Sequence, residues 1–154
     1  MSKLLDILFL DLDGVLNSYT FSKKNPDLEF PYGLELDPKA CSLLASFLKD
    51  YPEIKVVICS SWRDTLSVEQ FNEILSPVGI TVFDKTSDSI DKGPSVELWI
   101  QTNSVSSFVI LDDDILFNLK SPMHKHQVKT SFHLGIQEEH IENMKEVLRF
   151  KSHI

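Results

Sequence analysis

No stretch of this 154-residue chain approaches the eighteen or so uninterrupted apolar residues of a membrane-spanning helix. Its N-terminal segment carries Asp6 among the apolar residues and has no small-residue cleavage site, so a soluble, cytoplasmic protein without a signal peptide is the expectation. Cysteine is scarce. Cys41 and Cys59 are far apart in apolar surroundings, which reads as buried reduced thiols and excludes a disulfide scaffold. Positive charge is also short: 15 Lys and Arg face 23 Asp and Glu, a net charge of −8. That balance disfavours broad attraction to nucleic acid, although a nucleic-acid end remains open as a substrate. No His/Cys set has zinc spacing. Internal repeats and low-complexity tracts are missing too, so one domain over residues 1–154 is expected, large enough to bury one core.

What the chain does have is short apolar runs that stop abruptly at polar residues. Leu4 to Leu10 reads as a strand buried on both faces and ends at Asp11-Leu12-Asp13-Gly14. Ile54 to Cys59 is a second such strand, rich in β-branched residues, ending at Ser60-Ser61-Trp62-Arg63. Thr81 to Phe83, Ser107 to Leu111 and Gln127 to Thr130 give three more, the fourth running into Asp112-Asp113-Asp114. Between them lie helical patterns. Asp37-Pro38 opens a helix over about 38–50, and Ser67 to Gln70 has the form of a capping box. A further helix follows Lys92, and an amphipathic one covers Gln137 to Phe150 with Ile141, Met144, Val147 and Leu148 inward. Residues 17–36 show no sustained period and read as a flap, a loop or hairpin.

Strands alternating with helices imply an α/β fold, a mostly parallel sheet with helices on both faces. Ligands then bind at the carboxyl ends of the strands, where this chain keeps its unusual polar residues. Two acidic clusters there repel each other unless a cation lies between them, and a hard divalent ion such as Mg2+ suits oxygens from Asp11 and from Asp112 or Asp113 with a nearby backbone carbonyl. The glycine at 14 lets the chain turn sharply. One carboxylate of the Asp11/Asp13 pair can bind metal and attack phosphorus while the other exchanges a proton with the leaving group.

Asp11-Leu12-Asp13-Gly14-Val15-Leu16 after an apolar strand resembles the first motif of the haloacid dehalogenase (HAD) superfamily in its phosphatase form. Ser60 matches the second motif, Lys92 before a helix the third in preference to Lys85, and Asp112-Asp113 the fourth. The pattern over about Leu5 to Leu148 looks more narrowly like the HAD domain of Swiss-army-knife RNA repair proteins. The resemblance implies a three-layer Rossmann-like fold and an aspartyl-phosphate mechanism: Asp11 attacks, Asp13 serves as general acid and base, Ser60 holds a phosphate oxygen and Lys92 neutralises charge. The candidate metal set is Asp11, Asp13, Asp112 and Asp113, with Mg2+ as cofactor. Ser61, Arg63 and Gly14 are the candidate substrate contacts, with pairing to Asp64 the alternative for Arg63. Trp62 and Trp99 read as core aromatics, and His124, His126 and His133 as loop residues rather than a ligand set.

Superfamily members usually carry a cap inserted after the first or third strand. Here the gaps leave room for a minimal cap or none, so the site is open. By that analogy the partner is a phosphorylated substrate such as a nucleic-acid end or phosphoprotein. Two alternatives stay open: a small metabolite or nucleotide roofed by another subunit, and a catalytically weak module that binds a phosphorylated partner. Tyr19, Phe21, Phe30 and Tyr32 in the flap either stack on bases or anchor the loop on the core.

Overall fold

The computed structural model describes residues 4–149. Five strands form one all-parallel sheet in the order β3-β2-β1-β4-β5. They are β1 (Leu5–Leu10), β2 (Ile54–Ile58), β3 (Val82–Lys85), β4 (Val105–Asp112) and β5 (Gln127–Lys129). Five α-helices accompany them, α1 (Tyr19–Lys24) and α2 (Pro38–Asp50) between β1 and β2, α3 (Val68–Leu75) and α4 (Lys92–Thr102) in the next two connections, and α5 (Glu138–Arg149) after β5, while a 3₁₀ turn leads from β4 into β5. Among the described residues no helix is long and apolar enough to cross a membrane.

Successive side chains of a strand face opposite sides of the sheet, and β1 shows why its sequence is apolar without alternation. Leu8 and Leu10 enter a core with Leu44 and Phe47 of α2, Phe71 and Ile74 of α3, and Ile141 and Met144 of α5. Ile7 and Phe9 enter a second core on the other side with Val57, Ile110, and Val96 and Trp99 of α4. Trp99 packs edge-on against Phe9, at 5.8 Å between ring centres, and its indole N–H donates to Asp84 at 2.8 Å. Both cysteines are free and buried, and burial pushes the Cys41 thiol up to about 12.

Helix starts follow local chemistry. Asp37 caps α2 ahead of Pro38, and Ser67 with Gln70 forms the capping box of α3. The flap departs from the loop or hairpin expected of it. Residues 19–24 form a six-residue helix capped by Ser18, and 31–33 form a 3₁₀ turn. Six residues are too few to display a helical period, which is why the pattern is silent there. Phe21 and Phe30 contact each other, and Phe30 packs on the core, so these two anchor the flap. Tyr19 and Tyr32 are exposed; Tyr19 stacks on His133, and the Tyr32 hydroxyl donates to Glu73 of α3. The inward face expected of α5 is seen at Ile141, Met144, Val147 and Leu148, while Phe150 lies outside the described residues.

Candidate active site

Parallel pairing sets Leu10 opposite Ile58 on one side and Leu111 on the other. The next residue of each strand, Asp11, Cys59 and Asp112, therefore sits at the carboxyl edge of the sheet's centre. Asp11 and Asp112 are buried, and Asp113 joins them; one carboxylate oxygen from each of the three lies within 4.8 Å of the others. Lys92, the first residue of α4, bridges two of them, with Nζ 3.2 Å from Asp11 Oδ1 and 3.2 Å from Asp112 Oδ2. When all three carboxylates are ionised, one ammonium leaves two negative charges uncompensated, the charge a divalent cation carries.

The electrostatics follow from that crowding. Burial, and then the Asp112 charge, push Asp11 up to about 8, with Lys92 pulling the other way. Burial also raises Asp113. For Lys92, burial acts to lower its pKa, but the attraction of Asp11 and Asp112 prevails and holds it above the usual lysine range. Cys59 lies close enough for Asp112 and Asp11 to add to the effect of burial, which keeps its thiol protonated and out of competition as a ligand. The donor set is oxygen only, and none of the three loop histidines belongs to it. Hard carboxylate oxygens at this spacing fit magnesium.

Asp13 stands apart from this cluster. Its carboxylate is exposed, and it accepts from Asn17 Nδ2 at 2.8 Å and from Trp62 Nε1 at 2.9 Å. The side chain reckoned among the metal candidates is thus turned to two neutral donors instead. Asn17 uses its whole amide: Oδ1 accepts from the Gly14 N–H at 3.0 Å, and Nδ2 also reaches the Glu35 carbonyl at 3.0 Å. Trp62, read as a core aromatic, is half-buried against the core and lends its N–H to the site.

Both main-chain groups of Gly14, a candidate substrate contact, are engaged within the protein. Its N–H goes to Asn17, its carbonyl accepts from the Thr130 hydroxyl at 2.7 Å, and its φ is +83°. A Cβ there would fall 2.3 Å from Asp113 Oδ2, so glycine is needed for both conformation and space. Arg63 is buried and donates to the carbonyls of Cys59, Ser60, Ser87 and Ile90 at 2.8–3.2 Å. These main-chain oxygens, and not Asp64, are its partners among the described residues, and through them it clamps the segment leading into Lys92 onto the end of β2. Lys85 caps the carbonyls of Arg63 and Leu66, which leaves the carboxylates to Lys92.

Ser60 is buried at the tip of β2, where its hydroxyl accepts from the Trp62 N–H at 3.2 Å. That bond does not use the hydroxyl's own proton. Ser61 is exposed on the same 3₁₀ turn, Ser61–Asp64.

The family model for the HAD domain in Swiss Army Knife RNA repair proteins matches residues 7–141. The chain belongs to that family. The match takes in the tips of β1, β2 and β4 and the start of α4, so every element that builds the carboxylate site of this HAD domain lies within it. No curated protein and no solved structure matches the chain. Asn17 and Trp62 are the partners of Asp13 that sequence reasoning missed. For Asn17 a signal existed, since a turn at Gly14 brings the residue three positions later back to its N–H; for Trp62, 49 residues from Asp13, there was none.

Proposed function

We propose that this HAD domain is a magnesium-dependent phosphomonoesterase working through an aspartyl-phosphate. The observation that carries the reading is the convergence of Asp11, Asp112 and Asp113 on one point with a single lysine opposing them. Asp11, Asp112 and Asp113 would hold the magnesium ion, which when bound supplies charge neutralisation between the carboxylates and the phosphate oxygens.

The chain's own groups do the rest. Lys92 and the Ser60 hydroxyl stabilise the negative charge that spreads over the phosphoryl oxygens. An Asp11 oxygen forms a bond to phosphorus as the bond to the leaving oxygen breaks, and Asp13 gives that oxygen its proton. Asp13 then takes a proton from water, whose oxygen bonds to phosphorus as the bond to Asp11 breaks, releasing inorganic phosphate. Asp13 suits this shuttle because its hydrogen-bond partners among the described residues are neutral donors. The face above the site carries only the short flap, and an open site of this kind admits an ester on a nucleic-acid end or a phosphoprotein as well as a small one.

The test is hydrolysis of p-nitrophenyl phosphate with magnesium present and then chelated. Turnover that needs the metal and disappears in Asp11→Asn is expected. No turnover of any phosphoester across a broad panel would make the domain a phosphate-binding module instead.

A further inference from the structure

On the far side of Asp13 from the carboxylate cluster, a groove of about 230 Å³ opens between the flap and the loop after β5. Asp13 and Asn17 form its inner end, and Ser22, Glu35, Tyr19 and Phe132 its walls. A second groove of about 410 Å³ shares Ser22, Gly33 and Glu35 with it and runs on past Glu29. Among the described residues neither is lined by a lysine or an arginine. The walls are fixed: the Tyr19 N–H donates to the Phe132 carbonyl at 3.0 Å and the Thr20 N–H to that of His133 at 3.1 Å. Beneath them Gly135 sits so tightly that a Cβ would lie 3.0 Å from the carbonyls of Asn17 and Val15.

Three features of the groove carry chemistry. Phe132 is 59% exposed and its ring has no aromatic partner, whereas Tyr19 is stacked on His133 and has Lys23 5.8 Å over its ring. Glu35 is half-buried; its Oε1 accepts from the Ser22 hydroxyl at 3.0 Å, leaving Oε2 to accept from a ligand hydroxyl. Asp13, Glu35 and Glu29 succeed one another along the path with no cation among the lining residues. If Asp13 protonates the leaving oxygen, the group attached to that oxygen enters here.

We infer that this groove is the leaving-group subsite and that it takes an uncharged, hydroxyl-bearing alcohol with one flat ring, the chemistry of a nucleoside, so that a mononucleotide is the substrate class. The inference rests on the phosphatase reading of the neighbouring site. The ring lies on Phe132, as bases do on aromatic platforms. A sugar hydroxyl donates to Glu35. A second phosphate on the leaving group, or the next phosphodiester of an oligonucleotide, would face Glu35 and Glu29, while Lys23 lies over the Tyr19 ring and outside the lining, and is rejected.

The experiment compares kcat/KM of the full chain with magnesium on adenosine 5′-monophosphate, adenosine 3′,5′-bisphosphate, ribose 5-phosphate and a 5′-phosphorylated dinucleotide, with p-nitrophenyl phosphate alongside. The monophosphate is expected to exceed the bisphosphate and the dinucleotide by about tenfold or more, through charge repulsion. It should exceed ribose 5-phosphate by about tenfold through stacking, an advantage that Phe132→Ala removes by raising KM. Glu35→Gln should narrow the gap between monophosphate and bisphosphate, and circular dichroism verifies that both variants fold. Hydrolysis of p-nitrophenyl phosphate with the dinucleotide equal to the monophosphate, or with no advantage over ribose 5-phosphate, overturns the subsite and leaves the phosphatase standing. A chain inactive on all five overturns both.

Discussion

Asp11 and Asp13 are two residues apart, yet their surroundings have little in common. Asp11 is buried among charges, with Asp112 repelling it and Lys92 at 3.2 Å holding it. Asp13 is exposed and held by two neutral N–H donors, from Asn17 and Trp62. A carboxylate that must bind cation and phosphorus belongs where charge is concentrated. One that must gain and lose a proton belongs where no fixed charge pins it in one state. The turn at Gly14 sends neighbours in sequence to these two environments.

The contrast can be broken at either end. Asp11→Asn should remove turnover by about 10⁴-fold or more, the scale of losing a covalent nucleophile. Above about pH 8, where Asp11 is ionised, it should also stabilise the metal-free protein, because it deletes a buried charge facing Asp112. A rise in melting temperature of roughly 2–4 °C, the shift about 1 kcal/mol produces in a chain of this size, is the expected calorimetric result. Asp13→Asn should lower kcat by roughly 10²–10⁴-fold with no such rise, since its side chain is exposed. If both variants stabilise the metal-free protein equally, the two environments are not what distinguishes the carboxylates.

Arg63→Met keeps the apolar stem but removes the guanidinium from the carbonyls of Cys59, Ser87 and Ile90, while that of Ser60 keeps the Arg63 main-chain N–H, so a loss of about 2–4 kcal/mol in urea unfolding is expected. Trp62→Phe is the finest cut. It keeps a ring on the core and deletes one hydrogen bond to Asp13, which should cost about fivefold to tenfold in kcat and shift the basic or acidic limb of the pH profile. An unchanged pH profile would show that the indole N–H does not tune the proton shuttle.

Proton linkage sharpens the other side. Because burial and Asp112 raise Asp11 from 3.8 to about 8, the folded metal-free protein retains a proton that the unfolded chain has already released within that window. Its stability should therefore fall as pH rises between those values, and magnesium, which favours the ionised form, should raise the melting temperature more at pH 8 than at pH 5. Equal magnesium shifts at the two pH values would refute the linkage.

The parallel sheet was legible because β1 and β2 are apolar on both faces and stop at polar residues, a pattern that needs only local reading. The charged half of the site was legible for the same reason, since Asp11, Asp112 and Lys92 sit at element ends that chain order alone brings to one edge. The neutral half was not. Trp62 meets Asp13 through the direction of one indole, and nothing in a linear pattern encodes that direction. Arg63 was weighed between substrate and Asp64, but its partners are carbonyl oxygens, which every residue carries and which leave no trace in residue identity. The flap helix was hidden by its brevity.

The four-carbonyl grip of Arg63 has a consequence for how this chain tolerates change. Because the guanidinium recognises main-chain oxygens of Ser87 and Ile90 and ignores their side chains, its grip survives exchange of residues 87–90 as long as their number is kept, the bonds between Ser87 and Ser89 being the local tie such exchange would lose. Removing or adding one residue there would shift the register of the whole lead-in and withdraw the ammonium of Lys92 from between the two carboxylates. The segment is permissive toward spelling and strict about length.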